Sequence, residues 1–320
     1  MIRTSLIALL LACAPLASRA QAFPDHPVRM IVPFAPGSTP DVFARIVGEK
    51  AAQTLRQPVV IDNRAGAGGT IGSDAGAKAV PDGYTLTLGS TSSHSLPTLL
   101  GQKIGYSPTT SFAPVGLIGR TPTVLLASPR VGAGSYADFI AKVRAQPGRL
   151  NYGSSGNGTL NHLVMETFKA QTGTFIVHIP YRGTGQAMAD LMAGQIDLMF
   201  DAAITAVPQV KAGKLQALAV SGGRRLPDLT QVPTFDELGL KDFQGNLWIG
   251  LLAPAGTPPA VLQRLNDELQ SVLKKPEVRS RMGVLGFEPL PGPPAALSTY
   301  MQAVQDAWAR VVRERRITTD

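Results

Sequence analysis

The sequence predicts an α/β protein in which helices cover parallel sheets. Short strand-like runs alternate with helix-like runs through most of the chain, and this order is typical of βα units. Several helix-like runs carry apolar residues at helical spacing and begin directly after turn residues. The predicted strands cover residues 28–34, 59–63, 85–88, 124–128, 176–179, 196–200, 217–221 and 249–253, and the predicted helices cover 40–55, 70–78, 136–145, 159–171, 185–193, 203–212, 258–273 and 294–315.

The first predicted strand leads through a glycine-containing loop directly into the first predicted helix. Thr39 is expected to be the N-cap of that helix and Pro40 to lie in its first turn. Such a helix start leaves backbone N–H groups unpaired beside the positive end of the helix dipole, so it can hold a carboxylate or a phosphate without a basic side chain. The candidate ligand-binding residues of this loop are Phe34, Ala35, Gly37, Ser38 and Thr39. The alternative is that Ser38, Thr39 and Asp41 only cap and start the helix.

A second loop of this kind precedes the helix predicted for residues 159–171. It offers hydroxyl groups, an amide side chain and unhindered backbone amides. Its candidate ligand-binding residues are Ser154, Ser155, Gly156, Asn157 and Thr159. Two such loops indicate a ligand site more strongly than one loop does.

Further polar residues follow two later strands. Arg182 and Thr184 lie in a turn before a predicted helix, and Asp201 stands at the carboxyl end of a strand, where α/β proteins bind ligands. Arg182 is expected either to neutralise an anion or to pair with Asp190 or Asp197. Asp201 is expected either to accept a hydrogen bond from a ligand hydroxyl or amine, or to cap the next helix. Thr184 is a helix-cap candidate in both cases.

Patterns that would indicate a cofactor are incomplete. A glycine-rich run begins at Asn63, but Ile71 stands where a dinucleotide-binding loop needs its third glycine. The run is therefore interpreted as a turn that lets a helix lie close to the sheet, with Arg64 pairing a carboxylate. The four histidines show no metal-ligand spacing, and His162 is expected to be a hydrogen-bonded structural residue. We expect no cofactor and no metal.

Evidence for catalysis is equally incomplete. The run at residues 153–157 is one glycine short of a nucleophile elbow, and no nucleophile, base and oxyanion hole can be assembled from the sequence. We expect no catalytic residue. A secreted serine hydrolase with Ser154 or Ser155 as nucleophile remains as an alternative.

The N-terminus has the layout of a removable secretory signal. Arg3 precedes an apolar run over residues 6–12, and small residues follow up to Ala22. Residues 1–22 are therefore predicted to be a signal peptide, with lipoprotein anchoring at Cys13 as the less favoured alternative. Cys13 is the only cysteine, so the mature chain would form no disulfide.

Composition and charge limit the kinds of ligand and partner that the protein is expected to bind. The formal net charge is +8, and removing Arg3 and Arg19 with the signal leaves +6. This diffuse positive field favours anionic ligands. Aromatic residues make up only 6% of the chain and form no basic and aromatic stripe, which argues against nucleic-acid binding. About 300 residues suffice for two domains.

In order and spacing, a series of segments resembles the Bug family, the substrate-binding receptors of tripartite tricarboxylate transporters. The matching segments are residues 33–37 with Asp41 and residues 44–45, then 63–69, 81–84, 152–159 with His162, 180–183, 211–215 and 250–258. The family usually has a second glycine where Ser38 stands and an asparagine where Leu96 stands. The region 90–93 is rich in hydroxyls, which adds Ser90 to the candidate ligand-binding residues.

The resemblance implies a two-lobed, type II periplasmic binding protein. Each lobe would be a mostly parallel sheet flanked by helices, and the two loops at residues 34–39 and 153–159 would face each other across the cleft. The Thr121-Pro122 and Asn246-Leu247-Trp248 stretches are the expected crossings between the lobes, which gives a first lobe of residues 23–121 plus 247–320 and a second lobe of residues 122–246.

The resemblance also implies the function. A monomeric receptor in the periplasm would close over a small organic mono- or dicarboxylate, aliphatic or aromatic, and deliver it to a permease of one small and one large membrane subunit. A receptor that reports its ligand to a sensor kinase would have the same cleft, and the sequence does not separate the two roles.

Overall fold

Two mixed β-sheets with flanking helices form the framework of the protein. The computed structural model describes residues 23–284 and 286–315, so the predicted signal peptide and Cys13 lie outside the described residues. The strands are β1 (Val28–Val32), β2 (Val59–Asn63), β3 (Thr85–Ser90), β4 (Phe112–Thr121), β5 (Thr123–Ala127), β6 (Asn151–Ser154), β7 (Val177–Pro180), β8 (Leu198–Ala202), β9 (Gln216–Val220), β10 (Leu247–Pro254) and β11 (Glu288–Pro289). The helices are α1 (Thr39–Leu55), α2 (Thr70–Ala77), α3 (Tyr136–Ala145), α4 (Leu160–Thr172), α5 (Thr184–Met192), α6 (Ala203–Lys211), α7 (Pro259–Lys274), α8 (Pro276–Val284) and α9 (Pro294–Arg315).

The two sheets repeat one arrangement. In the six-stranded sheet, ordered β11-β4-β10-β3-β1-β2, the strand β1 pairs in parallel with both β2 and β3. In the five-stranded sheet, ordered β7-β6-β8-β5-β9, the strand β6 pairs in parallel with both β7 and β8. One antiparallel strand, β10 or β5, then joins each parallel trio to the rest of its sheet.

The prediction of mostly parallel sheets is correct for the two trios and wrong for the remaining pairs. The strands β5 and β10 each enter their sheet from the other one, because β5 follows β4 after Pro122 and β10 follows the last residues of the five-stranded sheet. The parallel strands of each trio end at the edge of the sheet where β5 or β10 starts. A strand that starts at that edge is antiparallel to the trio. Both sheets are therefore mixed.

Most predicted elements agree with the structure to within about two residues, and α3 matches its predicted range. The prediction missed β4, β6, β11 and α8. Pro114, Gly116 and Gly119 interrupt the apolar pattern of β4, and Tyr152 is the only strong strand former in β6. These strands are held by their neighbours in the sheet rather than by local propensity.

Two glycines let α2 lie directly on the six-stranded sheet. A Cβ atom on Gly72 would lie 2.6 Å from the Arg64 carbonyl oxygen and 2.8 Å from Pro33 Cα. A Cβ atom on Gly76 would overlap the hydroxyl of Thr87, which is fully buried on β3. The predicted close approach of helix and sheet is present, and it depends on these two positions.

Among the helices within residues 23–284 and 286–315, none combines the length and the apolar character that crossing a bilayer requires.

We expect Gly76→Ala to lower the free energy of unfolding by about 1–3 kcal/mol, because the added methyl overpacks the contact with Thr87. The measurement is urea denaturation. In a Thr87→Ala background the same change should cost less, since the overlapping atoms are gone. Gly283→Ala is the control, because nothing lies within 4 Å of that position on α8. An equal cost in both backgrounds would show that the contact is not the cause.

Candidate functional site

A cavity lies where the carboxyl ends of the parallel strands of both sheets meet the starts of several helices. It encloses about 670 Å³ of space free of protein atoms, including the part open to solvent. The lining residues come from the starts of α1, α4 and α5 with the turns before them, from the turn before α2, from the segment after β3, from the end of β8, and from the first residues of β5 and β10. They are Pro33, Phe34, Ala35, Ser38, Thr39, Pro40, Ala65, Gly66, Gly68, Gly69, Ser92, Thr123, Ser155, Leu160, Asn161, Arg182, Gly183, Thr184, Asp201, Ala202 and Leu247.

The buried carboxylate of Asp41 fixes the loop before α1. It accepts hydrogen bonds from Gly37 N (2.9 Å), Asn63 Nδ2 (2.9 Å) and the guanidinium of Arg45 (3.0 Å). Burial opposes ionisation, but these hydrogen bonds outweigh it and hold the pKa of Asp41 below its usual value. Gly37 has φ +78°, a left-handed conformation that favours glycine. Its N–H faces Asp41, and Gly37 does not line the cavity.

The start of α1 leaves two backbone amides without a partner beside the cavity. The prediction of Thr39 as N-cap is wrong by one residue, because Ser38 is the N-cap and Thr39 the first helical residue. The hydroxyl of Ser38 does not cap the helix, since it donates to Ala35 O (2.6 Å). Within the described part of the chain, the N–H groups of Thr39 and Asp41 have no acceptor, and Pro40 has no N–H to offer. Two unpaired amides therefore remain at the positive end of a 17-residue helix.

Only Ser155 of the second loop's candidates reaches the cavity. Ser154 is fully buried, lies 2.7 Å from His178 Nε2 and accepts a hydrogen bond from Gly156 N (3.1 Å). Thr159 Oγ1 donates to Gly156 O (2.7 Å), and Asn157 points to solvent without lining the cavity. Adjacent residues at the end of a strand point to opposite faces, so Ser155 faces the cavity while Ser154 faces inward. The other residues shape the turn.

A stack of three rings supports this turn from behind. The rings of His162 and His178 lie 4.2 Å apart, and Tyr152 lies 4.7 Å from His178. His162 Nδ1 accepts a hydrogen bond from Gly158 N (3.1 Å), so His162 has the expected structural role. Burial lowers the pKa of His178 to about 4 and also lowers that of His162. Both imidazoles are neutral at neutral pH.

The contact between Ser154 and His178 is not a catalytic pair open to substrate. The side chain of Ser154 has no exposed surface and does not line the cavity, and Ser155 Oγ donates to Asn161 instead of to a base. The geometry thus gives no support to the hydrolase alternative. In the residues that the structure describes, no group of three or more His, Cys, Asp or Glu side chains could hold a metal ion.

The hydroxyl-rich region after β3 contributes Ser92 and not Ser90. Ser90 is fully buried, with its Oγ 3.2 Å from Ser93 Oγ. Ser92 lines the cavity, and its Oγ accepts a hydrogen bond from Leu160 N (3.0 Å) at the start of α4. This bond joins the parts of the chain that carry the two sheets. The sequence indicates this hydroxyl-rich region, but it does not show which of its serines lies at the cavity.

The polar turn between β7 and α5 places Arg182 and Thr184 in the cavity wall. Arg182 is exposed, and neither predicted partner pairs with it: Asp190 accepts from Tyr181 Oη (2.8 Å) and Asp197 accepts from Asn151 N (2.9 Å). Thr184 is the first residue of α5 and Gly183 is the N-cap, so the prediction of Thr184 as a cap is wrong. Arg182 stands at the cavity as an exposed cation.

Asp201 lines the cavity at the end of β8 and is only 4% exposed. Its Oδ2 accepts a hydrogen bond from Thr205 Oγ1 (2.7 Å) rather than from a helix N–H of α6. Burial raises the pKa of Asp201 to about 6, although hydrogen bonds from Thr205, the backbone of Ala202 and Asn161 oppose the shift.

Sequence reasoning missed two parts of the wall. Asn161, which is buried on the first turn of α4, accepts from Ser155 Oγ (3.0 Å) and donates to Phe200 O (2.6 Å). The glycine-rich turn at residues 65–69 also lines the cavity. A polar residue among apolar ones at the start of a helix was the available signal for Asn161. Phe34 lines the cavity, whereas Tyr181 and Trp248 do not.

Comparisons with known proteins agree with this architecture. A family model described as the tripartite tricarboxylate transporter family receptor, TctC, matches residues 43–317. The structure of the periplasmic binding protein BugD is 35% identical, with a TM-score of 0.88, and the match covers 93% of this chain and 100% of that one.

Two further structures from Rhodopseudomonas palustris contain ligands. MatC with bound malate is 34% identical, with a TM-score of 0.85 and coverage of 91% of this chain and 100% of that one. Rpa4515 with adipate is 33% identical, with a TM-score of 0.89 and coverage of 92% and 99%. These matches show the α/β fold of periplasmic binding proteins, and the matched family consists of transporter receptors, which are binding proteins and not enzymes. The chain belongs to the TctC, or Bug, family of tripartite tricarboxylate transporter receptors.

Proposed function

We propose that this protein is a periplasmic receptor that captures a small organic mono- or dicarboxylate and delivers it to a tripartite tricarboxylate transporter. The observation that carries the proposal is the convergence of helix starts on one cavity in which no basic side chain is buried. Helix N-termini attract anions through free amides and the helix dipole. The site is suited to an acid rather than to a cation or a neutral sugar.

One carboxylate of the ligand binds at the start of α1. The free N–H groups of Thr39 and Asp41 donate to it, directly or through water, and Asp41 keeps the loop in place by bonding Gly37. A hydrogen bond to a charged group contributes about 1.5–3 kcal/mol, and the dipole adds about 0.3–1 kcal/mol. Bridging waters bring little penalty, so ligands of different lengths fit one scaffold. The malate of MatC and the adipate of Rpa4515 support this class of ligand.

Ligand capture works by closure of two lobes, residues 23–121 plus 247–320 and residues 122–246. The contacts available only to the closed state include Ser92 Oγ with Leu160 N, and the approach of Ala35 to Gly183, where an added Cβ would lie 3.8 Å from Ala35 Cβ. A ligand shifts the equilibrium toward closure only through contacts that the open state lacks. Ligand groups that touch both α1 and Ser155 provide such contacts.

The proposed setting follows from the N-terminal signal layout and from family membership. The mature receptor acts in the periplasm, and its partners are the small and large membrane subunits of the transporter. BugD, a relative of similar length, is a periplasmic binding protein.

We expect the melting temperature of the mature protein to rise with a subset of small carboxylates, because a ligand that binds only the folded state stabilises it. The panel holds mono-, di- and tricarboxylates and aromatic acids. Sugars and the carboxamides of the same acids are the controls. A rise of at least a few degrees with an acid and none with its amide supports the proposal. A rise with amides or sugars alone would contradict it.

We expect Arg182→Gln to weaken binding of the best acid in that panel by less than about 1 kcal/mol, because exposed charges contribute little. Calorimetric titration at low and physiological salt measures the change. Arg64→Gln is the matched control, since Arg64 is an exposed arginine that pairs with Asp62 (2.9 Å) and does not line the cavity. Loss of all binding in Arg182→Gln alone would show that a side-chain cation, and not the amides of α1, holds the carboxylate.

A further inference from the structure

Asp201 conflicts with a site built only for anions. Of the residues that line the cavity, only Arg182 and Asp201 have ionisable side chains. Asp201 is 4% exposed, and no lysine, arginine or histidine nitrogen of the described residues lies within 4 Å of its carboxylate. A buried carboxylate without a cation is costly unless it binds a proton or a hydrogen-bond donor. The cavity wall therefore combines a helix start that attracts a carboxylate with a buried carboxylate that repels one.

No neighbouring charge resolves this conflict. The elements packed on β8 are β5, β6, α4, α5 and α6, and β5 has no ionisable side chain. The ionisable residues of the other four elements are Tyr152, His162, Glu166, Lys169, Asp190 and Lys211. Each is engaged elsewhere: Tyr152 and Lys169 donate to Glu166, His162 accepts from Gly158, Asp190 accepts from Tyr181, and Lys211 pairs with Asp228. Thr205, the backbone of Ala202 and Asn161 give Asp201 neutral hydrogen-bond partners, but no cation of these elements neutralises its charge. A group that does so must come from the ligand or be a proton.

The surroundings of Asp201 accommodate both protonation states. Thr205 Oγ1 lies 2.7 Å from Asp201 Oδ2 and 2.9 Å from Ala202 O, but it has a single proton for these two acceptors. An ionised Asp201 accepts that proton in a hydrogen bond. A protonated Asp201 can donate to Thr205 Oγ1 while Thr205 donates to Ala202 O.

Building on the proposed carboxylate receptor, we propose that Asp201 makes the site two-ended. The α1 end takes the ligand's carboxylate, and Asp201 accepts a hydrogen bond from a hydroxyl or ammonium group at the ligand's other end. Hydroxy and amino monocarboxylates are therefore the preferred class. A dicarboxylate of the same length binds only with uptake of one proton from solvent, which is shared between its far carboxylate and Asp201.

The test compares acids that differ only at the far carbon. One series is butyrate, 4-hydroxybutyrate, 4-aminobutyrate and succinate, and a longer series is hexanoate, 6-hydroxyhexanoate, 6-aminohexanoate and adipate. Calorimetric titration between pH 8 and pH 5.5 gives each Kd. In the series that fits the cavity, the hydroxy or amino acid should bind at least about tenfold more tightly than the dicarboxylate at pH 7.5. The dicarboxylate should gain up to about tenfold per pH unit on acidification until Asp201 is protonated.

Three variants isolate Asp201. Asp201→Asn keeps the shape and adds an N–H donor, so the dicarboxylate should gain about tenfold at pH 7.5 while the amino acid loses at least as much. The part of the dicarboxylate's pH dependence that belongs to Asp201 should vanish, and any remainder belongs to the ligand. Thr205→Val, which lies outside the cavity, should move that dependence to higher pH, because the lost hydrogen bond had favoured the ionised form. Asp190→Asn, an equal change outside the cavity, should leave the order of affinities unchanged.

Two results would overturn the inference while leaving the receptor intact. One is a dicarboxylate that is the tightest ligand of its series at pH 7.5 without pH dependence. The other is an order of affinities that neither Asp201→Asn nor Thr205→Val alters. If no acid of either series or of the wider panel binds, the proposed function and the inference both fail.

Discussion

The carboxylate of Asp41 is the interaction on which the site depends. It joins the loop through Gly37, the helix α1 through Arg45, and the end of β2 through Asn63. Asn63 in turn donates to Phe34 O (3.0 Å), so the whole segment from β1 to α1 has one conformation. The Asp41 carboxylate accepts a hydrogen bond from the Gly37 N–H and leaves the backbone N–H groups of Thr39 and Asp41 unpaired among the residues that the structure describes. The helix start therefore stays available for a ligand. The negative charge of Asp41 therefore holds the proposed anion site in shape instead of repelling an anion from it.

The same strand, turn and helix arrangement occurs at several places around the cavity. A parallel strand ends, a short polar turn follows, and a helix begins at the cavity, as at α1, α4 and α5. Because β5 and β10 also start at the cavity, both sheets present the same edge to it. The two sheets thus line the cavity with helix starts and hydroxyls, and only the exposed Arg182 and the buried Asp201 add ionisable groups to its wall. In the proposed receptor, specificity depends on a few side chains, while the backbone supplies the common affinity for acids.

Much of this could be predicted from the sequence, and the failures have physical causes. The helices and most strands follow from hydrophobic periodicity, and the loops at residues 34–39 and 153–159 were correctly placed near the cavity. A sequence pattern does not show which serine of a polar run lies at the cavity: of the candidates Ser154 and Ser155 only Ser155 lines it, and Ser92 lines it instead of the candidate Ser90. Ser154 and Ser155 are adjacent at the end of a strand and point to opposite faces, whereas Ser92 lies in the helical turn that follows β3. The hydroxyls of Ser38 and Thr159 donate to carbonyl groups three residues earlier, and Ser155 donates to Asn161 six residues later. These bonds are local, but the residue types alone do not show whether a hydroxyl bonds its own turn or faces the cavity.

The central claim is that backbone amides at the start of α1, and not a basic side chain, hold the ligand's carboxylate. A crystal structure with a bound acid tests this claim most directly. We expect one ligand carboxylate within hydrogen-bond distance of the Thr39 and Asp41 N–H groups, directly or through one water, with no cationic side chain in contact. A carboxylate paired with Arg182, with the amides of α1 left to solvent, would contradict it.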